Sequence, residues 1–359
     1  MDHRGRQERL RERCEREGVE GLLVSHLPNV RYLTGFSGSN ALLLVAHAGW
    51  PTLFTDSRYR EQAAEEVQTA AVMIPPTGDL WKAAGNRAAR LRRLAVEAEH
   101  VSMAQRARLL KHWPQPPRGL KSVAGWIEAQ RAIKEPAEIA AIRRAVELAS
   151  SVFPQALKKI KPGTVETAAA GWLEYGLRRA GGEGLSFETL LASGRRSALI
   201  HGRASAAALP RRGFVVMDYG VVLAGYASDM TRTVHLGRAG RRARAVYASV
   251  RAAQQEAIAA VRAGAPAAAV DGAARRRLKR DGWGRYFSHS TGHGVGLEVH
   301  ELPRLAATSK EVLGAGQVIT IEPGVYIPGW GGVRIEDMVL VTERGAEVLT
   351  PTPKELLEL

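Results

Sequence analysis

The sequence has little cysteine, little lysine and no long apolar run. Cys14 is its only cysteine among 359 residues, which excludes a disulfide within one chain. The longest apolar stretches, such as residues 41–46, are far shorter than the roughly 20 residues of a transmembrane helix. Residues 1–18 are charged throughout and contain no apolar core, so no secretory signal is predicted. We therefore expect a soluble protein of the cytoplasm.

Arginine carries most of the positive charge. Only ten of the 51 basic residues are lysine, and the formal net charge is +15. Two arginine-rich segments, residues 241–244 and 275–280, could contact phosphates. No aromatic residues alternate with these arginines and no nucleic-acid reader motif accompanies them. We therefore interpret them as solvated helix faces and do not expect a nucleic-acid partner.

The length and the local patterns predict two domains. A chain of 359 residues exceeds the roughly 100–200 residues of one ordinary domain. Residues 1–125 alternate short apolar strands with helical stretches, including a predicted helix over 80–94, which is typical of an α/β domain. The run PQPP at 114–117 interrupts regular structure near its end. Residues 126–359 combine amphipathic helices with strands over 214–219, 231–235, 318–322 and 338–342, which predicts an α+β domain.

Four acidic residues lie at the ends of these apolar strands. Asp218 ends FVVMD, Asp229 precedes MTRTVHL, Glu322 follows VITI, and Glu336 precedes DMVLV. Buried together, four carboxylates would repel one another unless cations balanced them. Oxygen ligands of this type bind divalent cations, and His293 could add a nitrogen. Salt bridges at strand edges are the alternative explanation, and the residues alone leave both open.

Glycines surround the histidine in STGHGVGLEVHE, residues 290–301. If these carboxylates bind cations, Gly292, Gly294 and Gly296 are expected to let the backbone approach the cations closely. They are also expected to adopt backbone dihedral angles that other residues avoid.

The order of the five candidate ligands resembles that of the pita-bread metallopeptidases, which include methionine aminopeptidase, aminopeptidase P, prolidase and creatinase. The words DYG…SDMTRT, TGHGVGLEVHE, IEPGVY and VRIED carry this resemblance. The words NVRYLTGFSGSNALLLV and LFTDSRYREQA resemble a creatinase-type N-terminal domain of bacterial Xaa-Pro peptidases. The resemblance therefore covers nearly the whole chain, with residues 1–125 as that domain and 126–359 as the catalytic domain.

The resemblance implies two divalent cations per chain. Asp229 and Glu336 would bridge them, Asp218 would bind one, and His293 with Glu322 would bind the other. Oxygen and nitrogen ligands without a thiolate favour Mn²⁺ or Co²⁺, with Zn²⁺ as a third candidate.

The resemblance also implies three catalytic residues around the cations. His201 would contact the substrate near the scissile bond, His300 would donate to the carbonyl oxygen or move a proton, and Arg334 would orient carboxylates or substrate. Two positions depart from the family pattern. Ile200 stands where proline usually precedes the histidine, and Ser290 stands where glycine is usual.

The activity that the resemblance implies is hydrolysis of the bond before a proline at position two. The N-terminal words favour aminopeptidase P. Prolidase, which cleaves only dipeptides, is the alternative, and a non-catalytic binding module on this fold is a second one. Methionine aminopeptidase lacks such an N-terminal domain, and creatinase has lost ligands that remain here. We expect peptide substrates and a homodimer, and we expect no association with a membrane.

Overall fold

The computed structural model describes residues 1–116 and 119–359, and these divide into two compact units, Met1–Arg131 and Ala132–Leu359. The division lies later than the expected one at 125/126. The reason is that residues after 125 contact the first unit: the Arg13 guanidinium lies 5.3 Å from the centre of the Trp126 ring, and Arg131 donates to Asn29 at 2.8 Å. Residues 114–116 form neither helix nor strand. Pro117, the last residue of the PQPP run, lies outside the described residues.

The first unit is built on one six-stranded sheet in the order β4-β3-β2-β1-β5-β6. Its strands are β1 (Gly21–Val24), β2 (Ala41–Ala46), β3 (Thr52–Thr55), β4 (Ala71–Met73), β5 (Leu94–Glu97) and β6 (Leu120–Val123). The helices of this part of the chain are α1 (His3–Arg16), α2 (Leu27–Thr34), α3 (Arg60–Glu66), α4 (Leu80–Ala88), α5 (Met103–His112) and α6 (Glu128–Ala132).

Both faces of this sheet are covered. Leu42 and Leu44 of β2 join a core with Trp81 of α4 and Trp113, which follows α5. Successive side chains of a strand point to opposite faces, and the alternate residue Leu43 is also fully buried. Sheets covered on both faces by helices are typical of α/β domains, so the predicted class is confirmed. The helix predicted over 80–94 was too long: α4 ends at Ala88, and Leu94, the last residue of the predicted range, begins β5, which pairs in parallel with β1.

The second unit contains four long helices and several small antiparallel sheets. Its helices are α7 (Pro136–Leu157), α8 (Glu166–Arg179), α9 (Arg241–Ala259) and α10 (Ala267–Arg280). Its first strands are β7 (Gly184–Leu185), β8 (Leu190–Ser193), β9 (Gly213–Tyr219), β10 (Val221–Leu223), β11 (Tyr226–Ala227) and β12 (Met230–Leu236). The later strands are β13 (Gly292–Gly294), β14 (Glu301–Leu305), β15 (Val318–Ile321), β16 (Gly324–Ile327), β17 (Gly331–Arg334), β18 (Asp337–Val341) and β19 (Ala346–Val348).

Two of these sheets carry the candidate ligands. One has the order β12-β9-β8, and the other has the order β14-β13-β15-β18-β19. Helices α7 and α8 bury apolar stripes against the first sheet, where Phe153 and Leu173 share a core with Met217. Helices α9 and α10 bury theirs against the second, where Val250 shares a core with Ile319. Helices packed on antiparallel sheets confirm the predicted α+β class. No helix in the described part of the chain is long and apolar enough to span a bilayer.

Candidate metal centre

Asp218 and Asp229 come together because β9 and β12 pair in antiparallel register. Thr231 lies opposite Asp218, and Asp229 stands immediately before β12. Both residues are buried, with 8% and 5% of their surfaces exposed. The two carboxylates therefore lie at the same end of the paired strands β9 and β12, as their strand-end positions in the sequence predicted.

His293 and Glu322 arrive from the second sheet. His293 lies in β13, and Glu322 directly follows β15, where its backbone N–H donates to the Thr291 carbonyl at 2.8 Å. His293 Nε2 lies 3.4 Å from Glu322 Oε1 and 3.6 Å from Asp229 Oδ2. The His293 imidazole therefore lies between carboxylates that belong to different sheets.

Glu336 completes the set of carboxylates. Its backbone N–H donates to the Thr231 carbonyl at 3.2 Å, and its Oε2 accepts from the Thr231 hydroxyl at 2.6 Å. One ligand-type atom each from Asp229, His293 and Glu336 lie within 4.8 Å of one another. This spacing suits atoms that share a cation.

The electrostatics of the carboxylates fit a cation site. Burial, reinforced by the neighbouring carboxylates, raises the pKa of Asp229 and Glu336 well above its usual range, and burial raises the pKa of Glu322 to about 8. The buried oxygens Asp218 Oδ1 and Asp229 Oδ1 accept no hydrogen bond from the described residues. Buried carboxylate oxygens without donors are expensive unless a cation binds them.

Arg334 is the salt-bridge partner that the alternative explanation requires, but it supplies only one positive charge. Its Nη2 donates to Asp218 Oδ2 at 2.6 Å, and its Nε donates to the Thr231 hydroxyl at 3.0 Å. A single guanidinium cannot balance four carboxylates, of which Asp218, Asp229 and Glu336 are buried and Glu322 is half-buried. The geometry therefore favours a cation site over a set of structural ion pairs.

The Arg334 guanidinium also organises groups that the sequence did not single out. Its Nη1 donates to the Ile200 carbonyl at 3.1 Å and to the Tyr326 hydroxyl at 2.8 Å. His289 Nδ1 faces the Ser290 carbonyl at 2.8 Å, so that nitrogen carries the proton. Tyr326 therefore donates to His289 Nε2, at 3.0 Å. Tyr326 is the last residue of the word IEPGVY, which was the one available signal for it.

His201 and His300 face the same cavity as the carboxylates. The cavity has a volume of about 830 Å³ and is lined by all five candidate ligands, by both histidines and by Arg334. The rings of His300 and His293 lie 4.3 Å apart. Both His201 and His300 are exposed, so their rings are accessible from the cavity. The departure at Ile200 leaves its carbonyl bound to Arg334, which ties the His201 loop to the site.

The three glycines act differently from what the sequence suggested. None of Gly292, Gly294 and Gly296 has a positive φ, so the expectation of unusual dihedral angles was wrong. Each instead makes room for a neighbouring group. A Cβ on Gly292 would lie 1.9 Å from the Thr320 carbonyl oxygen, and one on Gly294 would lie 2.0 Å from that of Leu302. These close approaches pack β13 tightly against β15 and the start of β14.

The arginine-rich helices α9 and α10 carry many of their charges in ion pairs. Arg277 and Arg280 both contact Glu256, at 3.0 and 2.7 Å, and Arg244 contacts Glu358 at 2.6 Å. Paired guanidinium groups are less available to phosphates, which supports their interpretation as solvated helix faces.

The raised carboxyl pKa values predict how stability depends on pH when chelator has removed metal. The folded state holds protons on Glu322 up to about pH 8, whereas the unfolded chain releases them near pH 4.5. Stability from this source is complete below pH 4.5 and is lost as pH rises toward 8. Burial lowers the pKa of His293 to about 4, which has the opposite effect, but only below its ordinary value of 6.5.

We therefore expect the Tm of chelator-treated protein to fall between pH 6.5 and 8, where the carboxyl effect acts without the histidine effect. Protein saturated with Mn²⁺ should show a smaller fall, because bound cations balance the ionised carboxylates. Differential scanning fluorimetry at constant ionic strength measures both. Equal slopes with and without Mn²⁺ would contradict the cation site.

Comparison with known proteins gives consistent matches over both units. Residues 140–343 match the model of metallopeptidase family M24, and residues 6–133 match that of the creatinase/prolidase N-terminal domain. An Xaa-Pro dipeptidase of Pyrococcus furiosus is 36% identical over 353 residues, which are 98% of this chain and 99% of that protein. Among solved structures, an Xaa-Pro dipeptidase from Bacillus anthracis has a TM-score of 0.96 and 34% identity, over 99% of this chain and 100% of its own. An X-Pro aminopeptidase from Thermotoga maritima has a TM-score of 0.89 and 33% identity, over 97% and 100%.

Proposed function

The chain belongs to metallopeptidase family M24, as its motifs predicted, and we propose that it hydrolyses the bond between an N-terminal residue and a following proline. The proposal rests on one observation: the five candidate ligands line the same cavity as His201, His300 and Arg334. Phe187 and Val299 also line that cavity and offer apolar surface to a pyrrolidine ring. An X–Pro bond has no N–H and a restricted backbone, so a site must be shaped around it.

We propose two divalent cations per chain, with Mn²⁺ as the first candidate. Asp229 and Glu336 would bridge them, Asp218 would hold one, and His293 with Glu322 would hold the other. The unpartnered oxygens of Asp218 and Asp229 support this assignment. Such cations polarise a scissile carbonyl and lower the pKa of a bound water toward neutrality.

The protein's own side chains would do the rest of the chemistry. His201 and His300 would donate hydrogen bonds to the carbonyl oxygen as negative charge develops there. Partial burial at the cavity wall lowers the pKa of His300 and outweighs the opposing effect of Asp218, so His300 is a neutral donor at pH 7. Arg334 would hold Asp218 in place through their 2.6 Å ion pair.

The preferred length of the substrate is open between two candidates. The sequence favoured aminopeptidase P, and an X-Pro aminopeptidase is among the similar structures. The position of Arg304 and its lack of an ion-pair partner favour a dipeptidase. Arg304 lines the cavity, and in the β13–β14 pair it lies opposite His293, so the two side chains share one face. Its guanidinium has no ion-pair partner among the described residues, whereas Arg203, another arginine that lines the cavity, pairs with Glu188 at 2.9 Å.

A free guanidinium beside the site would bind the C-terminal carboxylate of a dipeptide. We therefore favour dipeptides, with Arg304 as the group that recognises their length. The named relatives from Pyrococcus furiosus and Bacillus anthracis, both Xaa-Pro dipeptidases, support this choice.

A panel of four peptides tests the proposed function. We expect Mn²⁺-loaded protein to cleave Ala-Pro with a higher kcat/KM than Ala-Pro-Ala, and to leave acetyl-Ala-Pro and Ala-Ala largely intact. The acetylated peptide lacks the free amine that sets the cleavage position, and Ala-Ala lacks the ring. Faster cleavage of Ala-Pro-Ala than of Ala-Pro would support an aminopeptidase P activity instead of a dipeptidase. Equal cleavage of Ala-Ala and Ala-Pro would contradict the proposed specificity for proline. Failure to cleave any peptide would favour the binding module.

The Arg304→Gln variant tests length recognition separately. Loss of a charge-assisted hydrogen bond of about 1.5–3 kcal/mol should lower kcat/KM for Ala-Pro by roughly ten- to a hundredfold. Ala-Pro-amide, which has no carboxylate, should be cleaved equally by the variant and the wild type. Arg203→Gln is the matched control, since its guanidinium is already paired. An equal loss on both substrates would show that Arg304 does not bind the carboxylate.

A further inference from the structure

A buried ion pair lies beside the candidate site and takes no part in the chemistry proposed above. Lys134 Nζ lies 3.2 Å from Glu301 Oε2, and the two side chains are only 1% and 5% exposed. Removing two charges from water is costly unless their geometry is good. Such a pair is weak evidence of added stability, and one attested role of buried ionic groups is to fix a particular arrangement of the chain.

The Glu301 carboxylate fastens the turn that leads into β14. Its Oε1 accepts from the backbone N–H of Glu298 at 3.1 Å. It also packs directly on Gly296, where a Cβ would lie 2.5 Å from Oε2. The carboxylate thus contacts the chain at Gly296 and at Glu298, and His300 is the residue immediately before Glu301.

Lys134 connects this turn to a different part of the second unit. Its backbone N–H donates to the Gly316 carbonyl at 2.9 Å, and its Nζ also donates to the Ala132 carbonyl at 3.3 Å. The Lys134 ammonium group is therefore held by a nearby backbone carbonyl and lies beside the Glu301 carboxylate. These contacts join the segment before α7 to the turn that carries His300.

We propose that Lys134 and Glu301 are positioning residues that set where the His300 imidazole lies against His293 and the substrate cavity. The inference rests on the proposed function, in which His300 acts on the scissile carbonyl. A hydrogen-bond donor misplaced by even about an ångström loses much of its effect on a transition state. Neither residue touches the candidate ligands through its charged group in the described contacts, so cation binding should not depend on the pair.

The Lys134→Met variant should keep its metal content and its KM for Ala-Pro while kcat falls roughly tenfold to a hundredfold, toward the value of His300→Ala. Lys134→Arg, which keeps a cation, should restore most of kcat. In a His300→Ala background, Lys134→Met should change kcat by less than about twofold, since a positioning residue has no effect without the group that it positions. A full additional loss in that background, or loss of metal, would overturn the proposal.

A spectroscopic measurement separates this inference from the proposed function. In protein with ¹⁵N-labelled histidine, loaded with diamagnetic Zn²⁺ in place of paramagnetic Mn²⁺, the His300 imidazole signal can be assigned by its absence in His300→Ala. Lys134→Met should shift or broaden that signal and leave that of His47, in the first unit, unchanged. An unchanged His300 signal would overturn the positioning role even if the enzyme is active. If the signal shifts but the protein cleaves no peptide, the positioning of His300 by Lys134 is supported and only the proposed activity is contradicted.

Discussion

Replacing Glu336 with glutamine should abolish peptidase activity and metal binding together. Glu336 lies where the two ligand-bearing sheets meet, with its backbone bound to Thr231 and its side chain 2.6 Å from the Thr231 hydroxyl. A neutral amide keeps the shape and that hydrogen bond but loses the charge that offsets bound cations. Cations supply several kcal/mol of transition-state stabilisation, so their loss should lower kcat/KM on the order of a thousandfold or more. Asp229→Asn should have the same effect.

Asp337 provides a matched control for this experiment. It follows Glu336 directly and is fully buried, but its carboxylate binds Arg232 at 2.7 Å and Lys354 at 2.6 Å, away from the candidate centre. Asp337→Asn should lower the Tm, because it weakens a buried network, while metal content remains normal. Metal per chain is measured by mass spectrometry after gel filtration, and kcat/KM on Ala-Pro. Wild-type activity in Glu336→Gln would refute the cation assignment.

The sequence predicted those parts of the site that are encoded locally. Asp218, Asp229, Glu322 and Glu336 each lie where an apolar strand meets a turn. A short local motif therefore contains both the strand pattern and the acidic residue. The pairing of β9 with β12 then brings the first two together. Their assignment to cations depended on the family resemblance, because four strand-end carboxylates are also compatible with salt bridges.

Interactions between distant segments could not be predicted. Lys134 and Glu301 are 167 positions apart in the chain, and neither stands in a pattern that indicates a partner. The contact of Arg334 with the Ile200 carbonyl is similarly remote, yet it anchors the loop in which Ile200 departs from the family pattern. The error over the glycines has a related cause, because Gly292 is required by the carbonyl of Thr320 on a neighbouring strand.

Replacing His201 or His300 with alanine should leave the metal content near normal and greatly reduce kcat. Both side chains line the cavity without belonging to the cluster formed by Asp229, His293 and Glu336. Removing one hydrogen-bond donor aimed at developing negative charge costs roughly 10²–10³ in rate. KM should change little, because the donors act on the transition state more than on the bound peptide.

His47→Ala is a suitable control for these histidine variants, since His47 is an exposed residue of the first unit whose ring contacts the Glu20 carbonyl at 2.9 Å. It should retain wild-type kcat on Ala-Pro. The decisive comparison is metal content against kcat in the same preparations. If His300→Ala lost metal in proportion to activity, His300 would be a ligand rather than a donor. If it kept full kcat, the donor role would be wrong, and the loss expected for Lys134→Met would have no histidine to act through.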